Sequence, residues 1–430
     1  MGTRKYKIVT FGCQMNLADS GALSAVLNAA GYIPVDTEEE ADLIILNTCS
    51  VREKAEERVF GRLGEMARFG KSKKIAVVGC MAQRLGDRIM ERAGNVNYVL
   101  GTDRMFDLPE ILDDRPVVSR VSTQFGHEAI GEFLPTRDDP YSAFVTISRG
   151  CDNFCTYCIV PYVRGAERSY SVKKIVEQVN RFVTDGVKEI TLLGQNVNSY
   201  RDNGSDFAGL MNEIARNTGI SRIRFMTSHP KDLSDTLIET MAGEKKIMPH
   251  LHLPLQSGSD VVLGRMGRGY TYEHYRNLVR KLRAAVPDIS LTTDLIVGFP
   301  GESDEDFDQT LDAVREIRYD SAFMFRYSIR EGTAAAKFKD DVADGEKIRR
   351  LKILIEIQKD ASFDKNQNEI TKTREVLVDG FSRRSREYLK GKTEHNKTIL
   401  FKGDPQIIGS ICRVKVNSAD SWTLHGELLE

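Results

Sequence analysis

The stretch ISRGCDNFCTYCIVPYVRGAERS, residues 147–169, decides how the rest of this 430-residue chain is read. Cys151, Cys155 and Cys158 form a C-x3-C-x2-C run just after SAFVTIS (142–148), an apolar, β-prone segment. Three thiolates on one short loop can ligate three irons of a cubane cluster and leave the fourth iron open, as a catalytic metal site requires. A zinc knuckle needs a fourth ligand nearby, and no Cys or His follows within the next thirty residues. An electron-transfer cluster needs a fourth cysteine, and the ferredoxin spacing is x2-x2-x3.

Downstream, the strand pattern repeats. EITLLG (189–194), RIRFMTS (222–228), HLHLPL (250–255), LTTDLIVG (291–298) and SAFMFRYS (321–328) alternate with helical patterns over 171–185, 234–242, 272–285 and 304–316. Six βα units predict an open, partial barrel, because a closed barrel of this kind uses eight. A charge-rich helix over 345–366 follows, with Ile348, Leu351 and Ile355 on one face. The last sixty residues (EVLVDGF, TILFKG, ICRVKVN, SWTLHGEL) are short and β-rich, and predict a small antiparallel barrel.

Upstream, KYKIVTF (5–11), DLIILNT (42–48), KIAVVG (74–79) and NYVLG (97–101) alternate with helical stretches over 17–30, 51–68 and 83–92, which predicts a parallel sheet covered on both faces. Residues 113–139 read as a linker. Cys13, Cys49 and Cys80 each fall at the end of one of these strands. Carboxyl ends of parallel strands share one sheet edge, where ligands bind. Three thiolates gathered there can hold zinc or an iron–sulfur cluster; the alternative is three small buried side chains. Cys412, inside a strand pattern, is expected to be inert packing.

Composition sets the bounds. Lys plus Arg is 61 and Asp plus Glu 62, so any nucleic-acid surface must be local. No run approaches the ~18 apolar residues of a membrane span, and the opening residues lack a secretory pattern, so a soluble cytoplasmic protein is expected. Seven cysteines, an odd and sparse set, do not suit a secreted disulfide framework. Walker, GxSxG and intact GxGxxG motifs are missing, which removes support for hydrolase, nucleotidase and dinucleotide readings.

C-x3-C-x2-C opening a partial βα barrel resembles the radical S-adenosylmethionine (SAM) superfamily. The three-part layout resembles, over essentially the whole chain, the methylthiotransferases. FGCQMNLADS (11–20), NTCSVREKAEERVFGRLG (47–64) and CTYCIVPYVRGAERSY (155–170) look most like the branch acting on N6-dimethylallyladenosine 37 of tRNA, with the SVRE after Cys49 as the discriminating piece. The resemblance implies an α/β chain of three domains. These are an N-terminal parallel sandwich (1–125), a partial (βα)6 radical SAM barrel with a trailing helix (140–366) and an RNA-binding TRAM barrel (367–430).

The resemblance further implies two [4Fe–4S] clusters, on Cys13, Cys49 and Cys80 and on Cys151, Cys155 and Cys158. Two SAM molecules do different jobs, one as methyl donor and one as the source of a 5′-deoxyadenosyl radical. The two clusters are expected to face one pocket. Implied partners are the tRNA anticodon stem-loop with its prenylated adenosine, a low-potential donor such as flavodoxin or ferredoxin, and a sulfur source that stays unnamed. Rival readings are methylthiolation of threonylcarbamoyl-adenosine in tRNA or of a ribosomal-protein aspartate, a non-catalytic iron–sulfur RNA-binding module, and a zinc-scaffolded protein.

Tyr157 matches the position beside the SAM adenine. Gly194, Gln195 and Asn196 match the segment that binds the SAM amino group, and Ile296 to Gly298 the motif that packs on the adenine. Ser228, His229, Gln256 and Ser257 follow strands three and four, where each either contacts SAM or caps a loop. Arg164 meets an anionic group of SAM or RNA, or forms an ion pair. Gln14 and Asn16 line the substrate side of the first trio or cap the following helix. His229, His250 and His252 lack metal-ligand spacing and read as core or pocket residues.

From Phe381 to Lys402, seven basic residues (Arg383, Arg384, Arg386, Lys390, Lys392, Lys397, Lys402) face Glu387 and Glu394, a local balance of +5. Phe381, Tyr388 and Phe401 are interleaved with them. Charges for phosphates and rings for bases suit single-stranded RNA.

Overall fold

The computed structural model describes residues 4–50, 53–70, 72–113, 120–126 and 134–429. Val51 and Arg52 of the SVRE segment, and two stretches of the expected linker (114–119 and 127–133), lie outside the described residues.

The amino-terminal unit runs β1 (Lys5–Thr10), α1 (Gln14–Ala29), β2 (Ile33–Pro34), β3 (Leu43–Thr48), α2 (Glu53–Met66), β4 (Lys74–Gly79), α3 (Cys80–Leu85), α4 (Arg88–Arg92), β5 (Tyr98–Leu100), α5 (Leu108–Leu112) and β6 (Val121–Ser122). Its six strands pair in the order β2-β1-β3-β4-β5-β6, every pair parallel. Every residue of β3 is buried, because helices cover both faces of the central strand. Two apolar layers form, one around Leu23, Leu27 and Ile45, the other around Val59, Leu63 and Val77. The short edge strands β2 and β6 were not anticipated; two residues are too few to leave a periodic signal. The expected helix over 83–92 is two short ones, broken at Gly86.

The central unit contains β7 (Ser142–Thr146), β8 (Ser148–Arg149), α6 (Val160–Arg164), β9 (Arg168–Ser169), α7 (Val172–Thr184), β10 (Glu189–Leu193), β11 (Arg201–Asp202), β12 (Ser205–Asp206), α8 (Phe207–Asn217), β13 (Arg222–Phe225), α9 (Asp235–Gly243), β14 (His250–His252), α10 (Asp260–Arg265), α11 (Tyr272–Ala285), β15 (Ser290–Val297), α12 (Asp304–Ile317) and β16 (Ser321–Arg326). β7, β10 and β13 form one parallel half and β14, β15 and β16 the other, joined through the parallel bridge Ile223–Ile247. The result is the expected six-stranded open arc around one large core.

In helix α13 (Asp344–Gln367) the apolar face is only partly buried. Ile348 and Ile355 are 43 % and 38 % exposed, and Leu351 is half-buried, whereas Lys347, Arg350, Leu354 and Gln358 are buried. The inward stripe is polar because the helix crosses loop ends that need partners. Arg350 pairs with buried Glu302 at 2.8 Å, Lys347 with Asp340 at 2.6 Å, and Gln358 Nε2 donates to the Tyr319 carbonyl.

The carboxyl-terminal unit closes as β17 (Thr373–Phe381), β18 (Leu389–Thr393), β19 (Thr398–Lys402), β21 (Thr423–Leu428) and β20 (Ile411–Ala419). Four pairings are antiparallel, but β19 and β21 are parallel, since the intervening β20 runs opposite to both. Cys412 packs against this barrel's core. The unit docks on the amino ends of the central strands. Arg222 and Arg224, in β13, donate to the carbonyls of Lys392, Thr393 and Glu394. Among the described residues no helix is long and apolar enough to cross a membrane.

Candidate active site

Cys13 caps the start of α1, Cys49 follows β3 directly, and Cys80 opens α3 directly after β4. The three loops are tied by amides. Asn16, fully buried, donates through Nδ2 to Asn47 Oδ1 and to the Thr48 carbonyl, both at 3.1 Å, and its Oδ1 accepts from the Cys13 N–H. Asn47 returns a bond to the Asn16 carbonyl at 2.8 Å, and Thr48 Oγ1 donates to the Val78 carbonyl at 2.7 Å. Close approach demands glycine at two positions. A Cβ on Gly12 would lie 3.0 Å from Cys49 Cβ, and one on Gly79 would lie 2.6 Å from both Asn47 Oδ1 and the Thr48 carbonyl. Asn16 therefore holds the loops together, and Gln14 is exposed.

The second trio occupies residues 151–158, with Cys151 and Cys155 buried and Cys158 half-buried. The loop is held by Thr156, whose N–H donates to the Met266 carbonyl and whose carbonyl accepts from the Ala335 N–H. Burial pushes the Cys80 and Cys151 thiols upward and the Cys158 thiol up to about 12. Ligation to metal must therefore release protons. Among the described residues no three Cys, His, Asp or Glu side chains close around a single point as one bound ion would need. A cubane takes each thiolate on a different iron and so suits wider spacing.

Helix α3, which Cys80 opens, lies against α6. Cys80 packs on Ile159 and Val163, so it sits against the residue that follows Cys158. Arg164, at the end of α6, is buried and ion-paired with Asp19 of α1 at 2.9 Å. Of the expected roles it takes the ion pair, and it lies inside the domain interface and not on an RNA surface. Arg149 pairs with the other oxygen of Asp19 at 3.0 Å.

Around the second trio, Arg268 is 5 % exposed and was missed by sequence reasoning, since no motif marks it. It donates to Cys155 Sγ at 3.3 Å, to Tyr157 Oη at 3.4 Å, to Tyr270 Oη at 3.0 Å and to the Pro254 carbonyl at 3.2 Å. Ile296 packs in a cluster with Tyr157, Val262 and Phe299. His229 lies edge-on to Tyr270; burial, with help from Arg268 and Lys231, lowers its pKa to about 2, so the imidazole is neutral.

The carboxyl ends of the first three barrel strands carry unspent polar atoms. Ser148 Oγ, Asn196 Oδ1, both amide atoms of Asn198 and Ser228 Oγ are buried without a partner among the described residues. Each such atom costs about 1–3 kcal/mol unless a ligand satisfies it, and the amino and carboxylate groups of SAM are ligands of that kind. Gly194 lies against Ser148, where a Cβ would sit 2.5 Å from Oγ, and Gln195 is half-buried beside it. Gln256 is buried at φ +74°, a strained position for a residue with a side chain. The Ser257 hydroxyl is bonded to Thr310 Oγ1 and to the Ser259 N–H, and the Gly298 N–H donates to Glu302.

The basic hairpin divides in two. Arg383, Arg384 and Arg386 are exposed on the loop between β17 and β18, with Phe381 beside them and Lys402 over the Tyr388 ring at 5.6 Å. Lys390 pairs with Asp379 at 3.2 Å. Two residues are corrected. Lys397 Nζ is held by Asp320 at 2.8 Å, and Lys392 Nζ donates to Thr398 Oγ1 at 3.0 Å while burial lowers its pKa. Both lie on the side of the barrel that docks on the central unit. Phe401 is fully buried in the small barrel's core.

A six-stranded arc with this loop and a partnered α/β unit define a radical SAM enzyme. Residues 145–314 match the radical SAM superfamily model, 5–101 the model described as uncharacterized protein family UPF0004, and 367–429 the TRAM domain. In fold, the chain is similar to the radical SAM methyltransferase TsrM of Kitasatospora setae, with a TM-score of 0.59 at 15 % identity, covering 78 % of this chain and 77 % of that one. It is 45 % identical to the tRNA-2-methylthio-N(6)-dimethylallyladenosine synthase of Carboxydothermus hydrogenoformans over 100 % of both chains. It is 46 % identical to that of Moorella thermoacetica over 99 % of both. The chain belongs to the radical SAM methylthiotransferases, in the tRNA-2-methylthio-N(6)-dimethylallyladenosine synthase family.

Proposed function

We propose that this enzyme places a methylthio group on C2 of N6-dimethylallyladenosine 37 in the anticodon stem-loop of tRNA. It is a radical SAM tRNA methylthiotransferase that uses two [4Fe–4S] clusters and SAM. The observation that supports the chemistry best is the packing of Cys80, from the first trio, against Ile159, the residue that follows Cys158 of the second. Adenine C2 bears a hydrogen of no useful acidity, so side-chain acid–base chemistry cannot displace it. When bound, the clusters and SAM supply the one-electron chemistry and the sulfur and methyl groups.

The chain's own residues position these groups. Cys13, Cys49 and Cys80 hold one cluster on loops fixed by Asn16, Asn47 and Thr48. Cys151, Cys155 and Cys158 hold the other, with Arg268 orienting Cys155 and Tyr157. Asn196 and Ser228, with their unspent oxygens, bind the polar end of SAM, and Ile296 and Tyr157 form the apolar wall for its adenine. The exposed arginines at 383, 384 and 386, with Phe381 and Tyr388, contact tRNA. We retain 1–125, 140–366 and 367–430 as the division into domains. The cytoplasm, with a flavodoxin or ferredoxin as electron donor, is the setting this reading requires.

The test is anaerobic reconstitution followed by incubation with prenylated tRNA, SAM and reductant, and mass analysis of the nucleosides. The expected product is the 2-methylthio derivative of dimethylallyladenosine. Product only with threonylcarbamoyl-adenosine tRNA or with a ribosomal protein would overturn the choice of substrate.

A further inference from the structure

The concave face of the barrel's second half carries an unspent carboxylate beside an uncovered ring. Along β15, Leu291, Leu295 and Val297 enter the large core, so Thr292, Asp294 and Ile296 face the inside of the arc. Along β16, Ala322 and Met324 pack on the same core, so Phe323, directly opposite Asp294, points inward; it is 50 % exposed. β16 is an edge strand, which puts Phe323 at the arc's side opening. Asp294 is half-buried, and among the described residues its carboxylate accepts no hydrogen bond and pairs with no Lys or Arg; its one charged contact is His252 Nε2 at 3.5 Å. His252 is fixed by Thr292 Oγ1, 3.0 Å from its Nδ1, and meets Phe323 edge-on with ring centroids 6.0 Å apart. Ile296, two residues beyond Asp294 and so roughly 7 Å further along the strand, packs with Tyr157 of the cluster loop. At the other end, Asp320, three residues before Phe323, is held by Lys397 of the small barrel.

We propose that Asp294 and Phe323 form the seat of the adenine whose C2 is modified. The base stacks on Phe323, and the Asp294 carboxylate accepts from the single N6–H that a prenylated adenine keeps. This rests on the methylthiotransferase reading above. Every base has a face to stack, so the ring alone selects nothing. The carboxylate supplies the selection: ionised, it accepts and cannot donate, so an oxygen at position 6 of the purine would set two acceptors against each other. The main chain keeps this carboxylate in place, because the Gln256 N–H donates to the Asp294 carbonyl and the Ile296 N–H donates to the Gln256 carbonyl. A base in the seat lies between the wall of Ile296 and Tyr157 on one side and the RNA-binding unit on the other. The edge position of β16 lets a flipped-out nucleotide enter from the side, since Arg222 and Arg224 and the small barrel close the amino end of the arc.

The test uses the reconstituted full chain and two anticodon stem-loops that differ at one base, N6-dimethylallyladenosine in one and 6-O-dimethylallylinosine in the other. Fluorescence anisotropy reads their affinities, and equilibrium dialysis reads that of SAM in parallel. The parent is expected to prefer the N6–H stem-loop by about tenfold or more. Asp294→Asn, whose amide can donate to the oxygen at position 6, should shrink that preference to within about twofold. Phe323→Ala should weaken both stem-loops by about tenfold, and Phe323→Tyr, which keeps a ring, should stay within about twofold of the parent. A preference unchanged in Asp294→Asn, or stem-loop affinity in Phe323→Ala within about twofold of the parent, would overturn the proposal. So would a loss of SAM affinity in Asp294→Asn as large as its loss of RNA affinity, which would assign the carboxylate to SAM. Loss of iron from both Asp294→Asn and Phe323→Ala would make the pair structural and would overturn it too. Product from a threonylcarbamoyl-adenosine stem-loop alone, with both effects present on that RNA, would instead count against the choice of dimethylallyladenosine and leave the seat standing.

Discussion

Asn16→Ala is the sharpest test of how the first trio is built. The side chain is fully buried and makes two donor bonds and one acceptor bond to the loops carrying Cys49 and Cys13. Truncation leaves the Thr48 carbonyl and the Cys13 N–H short of a partner, at about 1–3 kcal/mol for each buried group that stays unsatisfied. The Asn47 Nδ2 bonds survive, because one goes to the Asn16 main-chain carbonyl and the other to Ser20. A loss of about 2–4 kcal/mol follows, once some relaxation is allowed. Urea denaturation of the apoprotein reads that loss. Iron analysis after reconstitution reads the second consequence, since only the amino-terminal cluster is affected: iron per chain should fall toward half, with the radical SAM signal retained. Stability within 0.5 kcal/mol of the parent, taken as about the spread of ordinary surface changes, together with full iron, would refute the account.

Arg268→Leu removes a charge-assisted bond to Cys155 Sγ and should lower the reduction potential of the radical SAM cluster, by roughly 60 mV for each 1.4 kcal/mol of lost differential stabilisation; spectroelectrochemistry showing no shift would count against the contact. Changing Arg383, Arg384 and Arg386 together to Gln should weaken tRNA binding and reduce the slope of log affinity against log salt by about 2–3, whereas Lys397→Ala should change stability and leave the slope alone; anisotropy titrations at several salt concentrations separate the two. Acid should loosen the small barrel from the central unit. Asp288 lies 3.2 Å from His395 Nε2 and pairs with Arg374 at 2.7 Å, and Glu369 pairs with the same guanidinium at 2.5 Å; His395 first and then Arg374 hold Asp288, and Arg374 holds Glu369, below their ordinary values of 3.8 and 4.5. Their contribution is complete above the ordinary values and is lost as pH falls below about 4; hydrogen exchange across β17 and β20 that stays flat down to pH 3 would exclude this latch.

How much was legible in the sequence follows from what kind of signal each residue carries. The six cysteines announce themselves because strand ends and a fixed spacing are local patterns, and local patterns survive without tertiary knowledge. Helix α13 does not: Ile348 and Ile355 obey helical periodicity, yet the helix turns its polar stripe inward to satisfy Glu302 and the Tyr319 carbonyl, and only the neighbours reveal that need. The basic hairpin shows the same limit. Net charge locates a surface, but Lys392 and Lys397 differ from Arg383 only in which end of β18 meets the central unit. Arg268 and Asp19 carry no spacing at all; each becomes functional through residues more than a hundred positions away.

The two ends of the central strands do separate work, and that division explains why one chain carries three units. The amino ends are spent on Arg222, Arg224 and Asp320, which grip the small barrel. The carboxyl ends stay free for the loop of Cys151 to Cys158 and for the unspent atoms at Ser148, Asn196 and Ser228. Helix α6 links the second trio to the first: from Cys158 to Arg164 is six residues, of which Val160–Arg164 are helical, roughly 6 Å of rise. That segment is rigid at both ends, with the Cys158 N–H bonded to the Cys155 carbonyl and Arg164 locked on Asp19. A residue inserted in α6 would turn Arg164 by about 100° away from Asp19 while leaving every cysteine in place. Both clusters should then load and SAM should still be cleaved, but methylthiolation should fail. An inserted variant that makes full product would show that the spacing between the trios is not set by this helix.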